Sequence, residues 1–259
     1  YQWYSNGTPI SGATSGTLTF APASPGYFIL SVRVTDSVAM TAEDQATVTV
    51  NPSLGVLISP SSAVIDLGQS VAFTSTVSGG TPSYAYQWYR NGSPVPGATS
   101  ASWTFNPATA GSYNVYLNVT DSVGVTAKSN VAPVTVNPAP SVSITPTSAA
   151  MDLGQSKTFN STVSGGTPPF TYQWYLNGSA VSGATSNSWT FNPASSGSYT
   201  VYVNATDSVN VTAKSNTAPV TVNLVLSVSI SPTSVAFDLG QSRTFSSTVS
   251  GGTPPYSYQ

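Results

Sequence analysis

The stretch Tyr86-Gln87-Trp88-Tyr89 recurs along this chain of 259 residues. The same four residues stand at Tyr1-Gln2-Trp3-Tyr4 and at Tyr172-Gln173-Trp174-Tyr175, and the first two begin again at Tyr258-Gln259. Successive copies are 85 or 86 residues apart. A fixed period of this kind indicates a tandem array of structural modules rather than one enzyme domain. We therefore expect each module to be a small domain with a core of its own.

Composition narrows the kinds of protein that this chain can be. Hydrophobic residues make up 39% and aromatic residues 11%, which is enough for a core in each module. Charged residues make up only 5% and the net charge is −2, so the sequence predicts no nucleic-acid partner. The chain has no Cys and no His, which removes disulfides and the common nucleophile–base pairs. No apolar run reaches the roughly 20 residues that a membrane helix needs.

The strand that ends in Thr-Val-Asn gives natural module boundaries. It divides the chain into the C-terminal part of a module (1–52), two complete modules (53–137 and 138–223) and the N-terminal part of a further module (224–259). The joints at Asn51-Pro52 and Asn137-Pro138 contain proline, which restricts bending. The two partial modules are complementary. We expect either a window on a longer polymer or copies that complete one module between them, head to tail.

Each module has the pattern of short β-strands. In residues 113–120 the apolar side chains alternate with polar or amphipathic ones, which predicts one buried face and one wet face. Another strand carries Trp88 inward and runs into Asn91-Gly92, a strong signal for a tight hairpin turn. About seven such strands in each module, with no helical period, predict an all-β sandwich of two antiparallel sheets.

Two motifs carry a resemblance to a known family. A core Trp in Tyr86–Trp88, followed by Gly111-Ser-Tyr-Asn-Val-Tyr-Leu-Asn-Val-Thr-Asp121, resembles an immunoglobulin-like sandwich. The short spacing from Trp88 to Val115 is similar to the polycystic-kidney-disease-type (PKD-like) repeats of archaeal and bacterial surface proteins. The resemblance implies tandem immunoglobulin-like (PKD-like) antiparallel β-sandwiches in a linear array, at the cell surface or outside the cell. The antibody disulfide positions are Ser75 and Val115, so no bridge forms there.

Two aspartates recur in the modules. One lies in Asp-Leu-Gly-Gln-Ser (Asp66, Asp152 and Asp238) and the other in Thr-Asp-Ser (Asp36, Asp121 and Asp207). The immunoglobulin-like topology puts them at opposite ends of a module, which does not suit the paired carboxylates of a glycosidase. We interpret them as turn caps. A weaker alternative is Ca²⁺ at a joint where Asp66 lies near Asp207, but calcium joints usually use more acids, so we predict no metal and no cofactor.

The predicted surface carries two further sets of candidate residues. Asn-x-Ser/Thr sequons predict covalent glycans, although a chain so rich in Ser and Thr contains some by chance: Asn6, Asn91, Asn118, Asn160, Asn177, Asn204 and Asn210. Four tyrosines are predicted outward on neighbouring strands: Tyr89, Tyr116, Tyr175 and Tyr202. Either they form ordinary cross-strand pairs, or they make a patch for lateral packing or for contact with a glycan.

Together these features predict a protein that is not an enzyme. We expect a structural component of an extracellular filament, stalk or surface layer, in which copies of the chain associate head to tail and carry covalent glycans. The alternative is an adhesin, or the carbohydrate-binding accessory repeats of a secreted enzyme.

Overall fold

The computed structural model describes residues 1–259, and all of its regular structure is β. The first thirteen strands are β1 (Gln2–Ser5), β2 (Thr8–Pro9), β3 (Gly26–Thr35), β4 (Thr41–Val50), β5 (Gly55–Ser59), β6 (Ala63–Asp66), β7 (Val71–Ser78), β8 (Ala85–Arg90), β9 (Ser93–Pro94), β10 (Ser102–Phe105), β11 (Gly111–Thr120), β12 (Thr126–Lys128) and β13 (Ala132–Asn137). The chain forms no helix of the length and hydropathy that a membrane crossing requires.

The remaining strands repeat this series. They are β14 (Ser141–Thr145), β15 (Ala149–Asp152), β16 (Lys157–Ser164), β17 (Thr171–Leu176), β18 (Ser179–Ala180), β19 (Ser188–Phe191), β20 (Gly197–Thr206), β21 (Thr212–Lys214), β22 (Ala218–Asn223), β23 (Ser227–Ser231) and β24 (Ser246–Ser250). The prediction of an all-β fold made of short strands is confirmed.

The chain forms two compact units. The first comprises Tyr1–Ala63, Ser70–Phe105 and Ser112–Val134, and the second comprises Val64–Gln69, Asn106–Gly111 and Thr135–Gln259. The turn at residues 66–69 therefore belongs to the second unit, together with the groups that it contacts. The division into 1–52, 53–137, 138–223 and 224–259 stays a prediction.

The first unit contains three sheets. Strands β2, β1, β3 and β4 are neighbours in that order in a four-stranded sheet, and β10, β7 and β5 form a three-stranded sheet. In the third sheet β13, β11, β8 and β9 are neighbours in that order, and β12 pairs with β11. The pairings β8–β11 and β7–β10 are antiparallel, as the sequence predicts for a sandwich.

The second unit repeats the same arrangement. Strands β14, β16 and β19 form one sheet, while β15, β22, β20, β17 and β18 are neighbours in the other, and β21 pairs with β20. The pair β15–β22 is parallel, and the other pairs of these two sheets are antiparallel. Strands β23 and β24 form a separate antiparallel pair.

Strand β11 shows why these segments fold as strands. Val115, Leu117 and Val119 are fully buried, and the side chains between them lie towards the other face. Alternation with a period of two places every second residue on the same face of a sheet, so one strand serves both the core and the surface. Strand β20 has the same burial pattern. The predicted alternation is confirmed.

A tryptophan occupies the centre of each core. Trp88 is fully buried, and its ring centroid lies 6.0 Å from that of Phe73 and 6.0 Å from that of Trp103. Its indole N–H donates to the carbonyl of Ser100 at 2.9 Å, so the buried polar atom is satisfied. In the next repeat Trp174 is fully buried as well, and its indole N–H donates to the carbonyl of Ser186 at 2.9 Å.

The Asn-Gly pairs form the predicted hairpin turns. Asn91 and Gly92 have φ angles of 50° and 83°, the left-handed conformation that a two-residue hairpin of this type requires at both positions. The Asn91 side-chain Oδ1 accepts the backbone N–H of Asn114 at 2.8 Å and so ties the turn to β11. The turns at Asn6 and Asn177 repeat this bond at 2.8 Å.

Candidate functional site

The most unusual polar cluster lies in the second unit, at the end of β6. We call it the carboxyl junction: Asp66, Gln69, Asn137, Thr167 and Asp207. The turn after Asp66 is closed by Gln69, whose side-chain Oε1 accepts the Asp66 N–H at 2.8 Å and whose N–H donates to the Asp66 carbonyl at 3.0 Å. The Asp66 carboxyl is consequently left free to bond elsewhere.

Thr167 links the two aspartates of the junction. Its hydroxyl donates to Asp66 Oδ1 at 2.6 Å, and its backbone N–H donates to Asp207 Oδ2 at 3.1 Å. Asn137 Nδ2 donates to the Thr167 hydroxyl oxygen at 2.7 Å. The threonine follows Gly166, which has a φ of 71° and whose N–H bonds the Pro138 carbonyl at 2.7 Å. This glycine turn fixes the place of Thr167, since other residues rarely adopt that φ.

Asp207 is a turn cap, as the sequence predicts. Its Oδ1 accepts the backbone N–H groups of Val209 and Val211 at 3.1 and 2.8 Å. The same pair of bonds holds the turns after Asp36 and Asp121. Backbone donors of this kind favour the ionised carboxylate.

Asp66 departs from the prediction that it caps its own turn. The amide of Gln69 performs that role, and Gln155 and Gln241 do so after Asp152 and Asp238. The interpretation of this aspartate series as turn caps is therefore wrong at Asp66 and Asp152, whose carboxyls accept threonine hydroxyls instead. The physical reason is that an amide supplies an acceptor for the turn N–H without placing a charge there.

The two carboxyl groups of the junction face one another in a dry environment. Asp66 is 0% exposed and Asp207 is 5% exposed, and Asp66 Oδ2 has no hydrogen-bond donor in the protein. Burial, above all, and the adjacent Asp207 carboxyl raise the pKa of Asp66. Burial also raises the pKa of Asp207, but the adjacent Asp66 carboxyl and the backbone N–H groups outweigh that effect, and the pKa of Asp207 is lowered.

The residues of the junction are a poor fit for a metal ion. Ca²⁺ takes six to eight oxygen ligands, whereas the junction supplies two carboxyl groups. No group of three or more metal-ligating side chains occurs in the chain. Asp207 already accepts three backbone N–H bonds, which compete with a cation for its lone pairs. The structure thus brings Asp66 and Asp207 together, while a Ca²⁺ ion between them stays the weaker hypothesis.

Parts of the junction recur elsewhere in the chain. Thr253 donates to Asp152 Oδ1 at 2.6 Å and accepts from Asn223 at 2.9 Å, also within the second unit. In the first unit Asn51 donates to Thr81 at 3.0 Å. These Asn, Thr and Gln residues were not predicted from the sequence. Their signal is that each returns at the period of the repeat: Asn51, Asn137 and Asn223; Thr81, Thr167 and Thr253; Gln69, Gln155 and Gln241.

The predicted outward tyrosines form what we call the tyrosine stacks. In the first, Tyr89 and Tyr116 lie parallel with their centroids 4.8 Å apart, and Lys128 Nζ lies 3.9 Å from the Tyr116 centroid. In the second, Tyr175, Tyr202 and Lys214 repeat this with 4.7 and 3.9 Å. All four rings are half-buried. The cross-strand pairing is thus present in both repeats, and a role in lateral or glycan contact stays a prediction.

The sequon asparagines fall into distinct environments. Asn6, Asn91, Asn160, Asn177 and Asn210 are exposed, three of them at hairpin tips. Asn118 and Asn204 are half-buried on the outer side of β11 and β20, and their Oδ1 atoms are buried without a hydrogen-bond partner. Glycosylation at all seven stays a prediction, with the exposed group the more accessible.

Known proteins share these repeats. Residues 55–134 match the PKD domain. The chain is 31% identical over 258 residues to the "Highly immunogenic outer capsid protein" of Enterobacteria phage T4, a match covering 90% of this chain and 66% of that protein. A stretch of 77 residues, 29% of the chain, is 42% identical to the "Decoration protein" of Escherichia phage T5 and covers 46% of it.

A solved structure has the same fold. The three N-terminal domains of the bacteriophage RB49 Highly Immunogenic Outer Capsid protein align with a TM-score of 0.52 at 18% identity, over 85% of this chain and 87% of that one. The chain consists of tandem immunoglobulin-like, PKD-like sandwiches, and the predicted fold is confirmed. The relatives named here come from phages, whereas the sequence resemblance points to archaeal and bacterial surface proteins.

Proposed function

We propose that this chain is an accessory structural protein displayed on the outer surface of a virus particle. The observation that carries the proposal is the 31% identity with the T4 outer capsid protein, because that alignment extends over 258 residues and so includes successive repeats. The similarity to the T5 decoration protein, at 42% identity over 77 residues, supports the same class of protein.

The chemistry of the chain supports a role without catalysis. It has neither His nor Cys, the residues used in the common nucleophile–base pairs. The facing carboxyls of Asp66 and Asp207 are buried, so a substrate has no access to them. The structure holds one ion pair, between Arg33 and Glu43 at 3.0 Å, and this pair is exposed. The sandwiches themselves are therefore the functional units, as spacers or surfaces held away from the particle.

A second candidate is an extracellular filament, stalk or surface layer in which copies associate head to tail. The recurring aspartate–threonine bond favours it: Thr167 bonds Asp66 at 2.6 Å, and Thr253 bonds Asp152 at the same distance. A bond that repeats with the period of the sequence suits a series of identical joints. Glycans on the sequons would belong to this setting, at the surface of a cell.

A carbohydrate-binding role has less support. Sugars stack on uncovered aromatic faces, but Tyr116 has Tyr89 on one face and the ammonium of Lys128 over the ring. The repeat with Tyr175, Tyr202 and Lys214 has the same arrangement. The stacks are therefore better suited to holding the sheet together than to presenting a flat platform.

The proposal is tested by protein mass spectrometry of virus particles purified on a density gradient from a culture that carries the gene. We expect peptides of this chain to sediment with the particles, and brief protease treatment of intact particles to release them while the capsid shell remains. Peptides confined to the cell envelope, or to filaments free of capsid protein, would support the second candidate and overturn the first.

A further inference from the structure

When both aspartates of the carboxyl junction are ionised, one of their oxygen atoms has no hydrogen-bond donor. Asp207 accepts three backbone N–H groups, and Asp66 Oδ1 accepts the hydroxyl of Thr167. Asp66 Oδ2 accepts nothing and is fully buried. A buried carboxylate oxygen without a donor is costly, and a second negative charge beside it adds repulsion.

A single bound proton would supply the missing hydrogen bond and remove the repulsion between the two charges. If Asp66 carries it on Oδ2, that atom becomes a donor, and the facing carboxylate of Asp207 is the available acceptor. The bonds then run in one direction: Asn137 donates to Thr167, Thr167 donates to Asp66, and Asp66 donates to Asp207. Asp66 Oδ2, the buried oxygen without a partner, thereby gains one.

We propose that the carboxyl junction is a binding site for one proton, held by Asp66 as a neutral acid that donates to the Asp207 carboxylate. The proton fastens the turn at residues 66–69 to the two loops that carry Thr167 and Asp207. The hydrogen bonds of the junction are thus pH-sensitive. They are complete in mild acid and weaken as the pH rises. This inference is independent of where the protein is displayed.

The electrostatic surroundings agree with this assignment. Asp207 is the titratable group that faces Asp66. The other side chains that contact Asp66 are Thr167 and Asn137, which carry no charge. No cation is therefore present to favour an ionised Asp66. The backbone donors around Asp207 favour its ionised form, which makes Asp66 the partner that keeps the proton.

The direction of the pH effect follows from proton binding. Because the pKa of Asp66 is raised in the folded protein, the folded state holds a proton that the unfolded chain releases above about pH 3.9. Stability is then greatest in mild acid and falls as the pH rises through the raised pKa. Asp207 has a lowered pKa, so its contribution to stability is instead lost as the pH falls through that pKa.

The test uses the full chain, its Asp66→Asn variant and Asp152→Asn as the matched control. Asparagine supplies an N–H donor in place of the acid O–H at every pH. We expect the thermal midpoint of the wild type to fall by about 5 °C between mild acid and pH 8, and that of D66N to stay level over the same range. D152N, altered at an aspartate that also accepts a threonine hydroxyl, should keep the wild-type pH dependence.

A direct readout avoids reliance on folding of the variant. Infrared spectra of the wild type in mild acid, at a pH where ordinary aspartates are ionised, should contain the C=O stretch of one protonated carboxyl, which disappears as the pH rises. Absence of that band overturns the proposal, as does a wild-type midpoint that does not depend on pH in this range. A rise of the midpoint on adding Ca²⁺ to the wild type at pH 7, absent in D66N, would also overturn it in favour of a cation site.

Discussion

Tyr89 and Tyr116 are directly opposite one another on β8 and β11, and their ring planes differ by 4°. Tyr175 and Tyr202 repeat this relationship with an angle of 6°. A lysine ammonium lies 3.9 Å from the second ring in both repeats. Since Tyr116 and Tyr202 each contact a tyrosine ring and a lysine of the same molecule, the stacks stabilise the outer face of the sheet.

Replacing Tyr116 tests this stabilising role. Tyr116→Ala removes an aromatic pair and a cation–π contact, and we expect the free energy of unfolding to fall by about 1–2 kcal/mol in urea denaturation. A double-mutant cycle with Lys128→Ala should give a coupling energy of about 0.5–1 kcal/mol. Tyr27→Ala, at a tyrosine that is 59% exposed, is the control and should change stability by less than about 0.5 kcal/mol. Equal losses for Tyr27 and Tyr116 would show that the stack contributes nothing.

Replacing a fully buried tryptophan should destabilise the protein more than replacing the tryptophan of the first repeat. Trp88→Ala leaves a large cavity in a core where the side chain is 0% exposed, and we expect a loss of about 3–5 kcal/mol. Trp3 is only half-buried, so Trp3→Ala should cost clearly less. Denaturant unfolding, followed by the fluorescence of the remaining tryptophans, measures both. A larger loss at Trp3 than at Trp88 would contradict the description of the cores.

The threonine of the carboxyl junction should matter more than its copy in the first unit. Thr167→Val keeps the shape but removes the hydroxyl, so Asp66 Oδ1 loses its donor and Asn137 loses its acceptor. We expect a loss of about 1–3 kcal/mol. Thr81→Val is the matched control, since the Thr81 hydroxyl accepts from Asn51, and it should cost less. Thermal unfolding of the two variants decides the order, and a reversed order would refute the assigned role of Thr167.

Asp121 should make the first unit sensitive to acid. Backbone N–H groups, that of Thr81 first, hold its pKa below the ordinary aspartate value despite the opposing effect of burial. A lowered pKa contributes stability that is present above the pKa of the unfolded chain and is lost as the pH falls through the folded value.

The variant Asp121→Asn should therefore lose stability at neutral pH and show a weaker decline below about pH 4 than the wild type. Midpoints of thermal unfolding recorded across this acid range measure the effect. Asp238→Asn, at an exposed residue, serves as the control and should follow the wild type. An acid decline that is the same in D121N and the wild type would exclude Asp121 as its source.

The fold could be predicted from the sequence because its signals are local and repeated. The alternation in β11 and the Asn91-Gly92 turn depend on neighbouring residues alone, and both appear as expected. The aspartates that cap turns, such as Asp121, were predictable for the same reason, because their donors lie two and four residues further along the chain.

The carboxyl junction could be predicted only in part. The sequence predicts that Asp66 and Asp207 lie near one another, but the residue that links them is Thr167, 101 residues from Asp66. A side-chain bond over such a separation leaves no local pattern. The sequence also does not show that Gln69, and not Asp66, caps the turn, since both side chains carry an oxygen that can accept a hydrogen bond.

Display on the capsid surface is tested most directly by electron microscopy of virus particles labelled with gold-conjugated antibodies against this chain. We predict that the gold lies on the outside of intact capsids and is lost from particles whose gene for this chain has been deleted. Gold on filaments or on cell envelopes, with capsids unlabelled, would contradict display on the capsid surface.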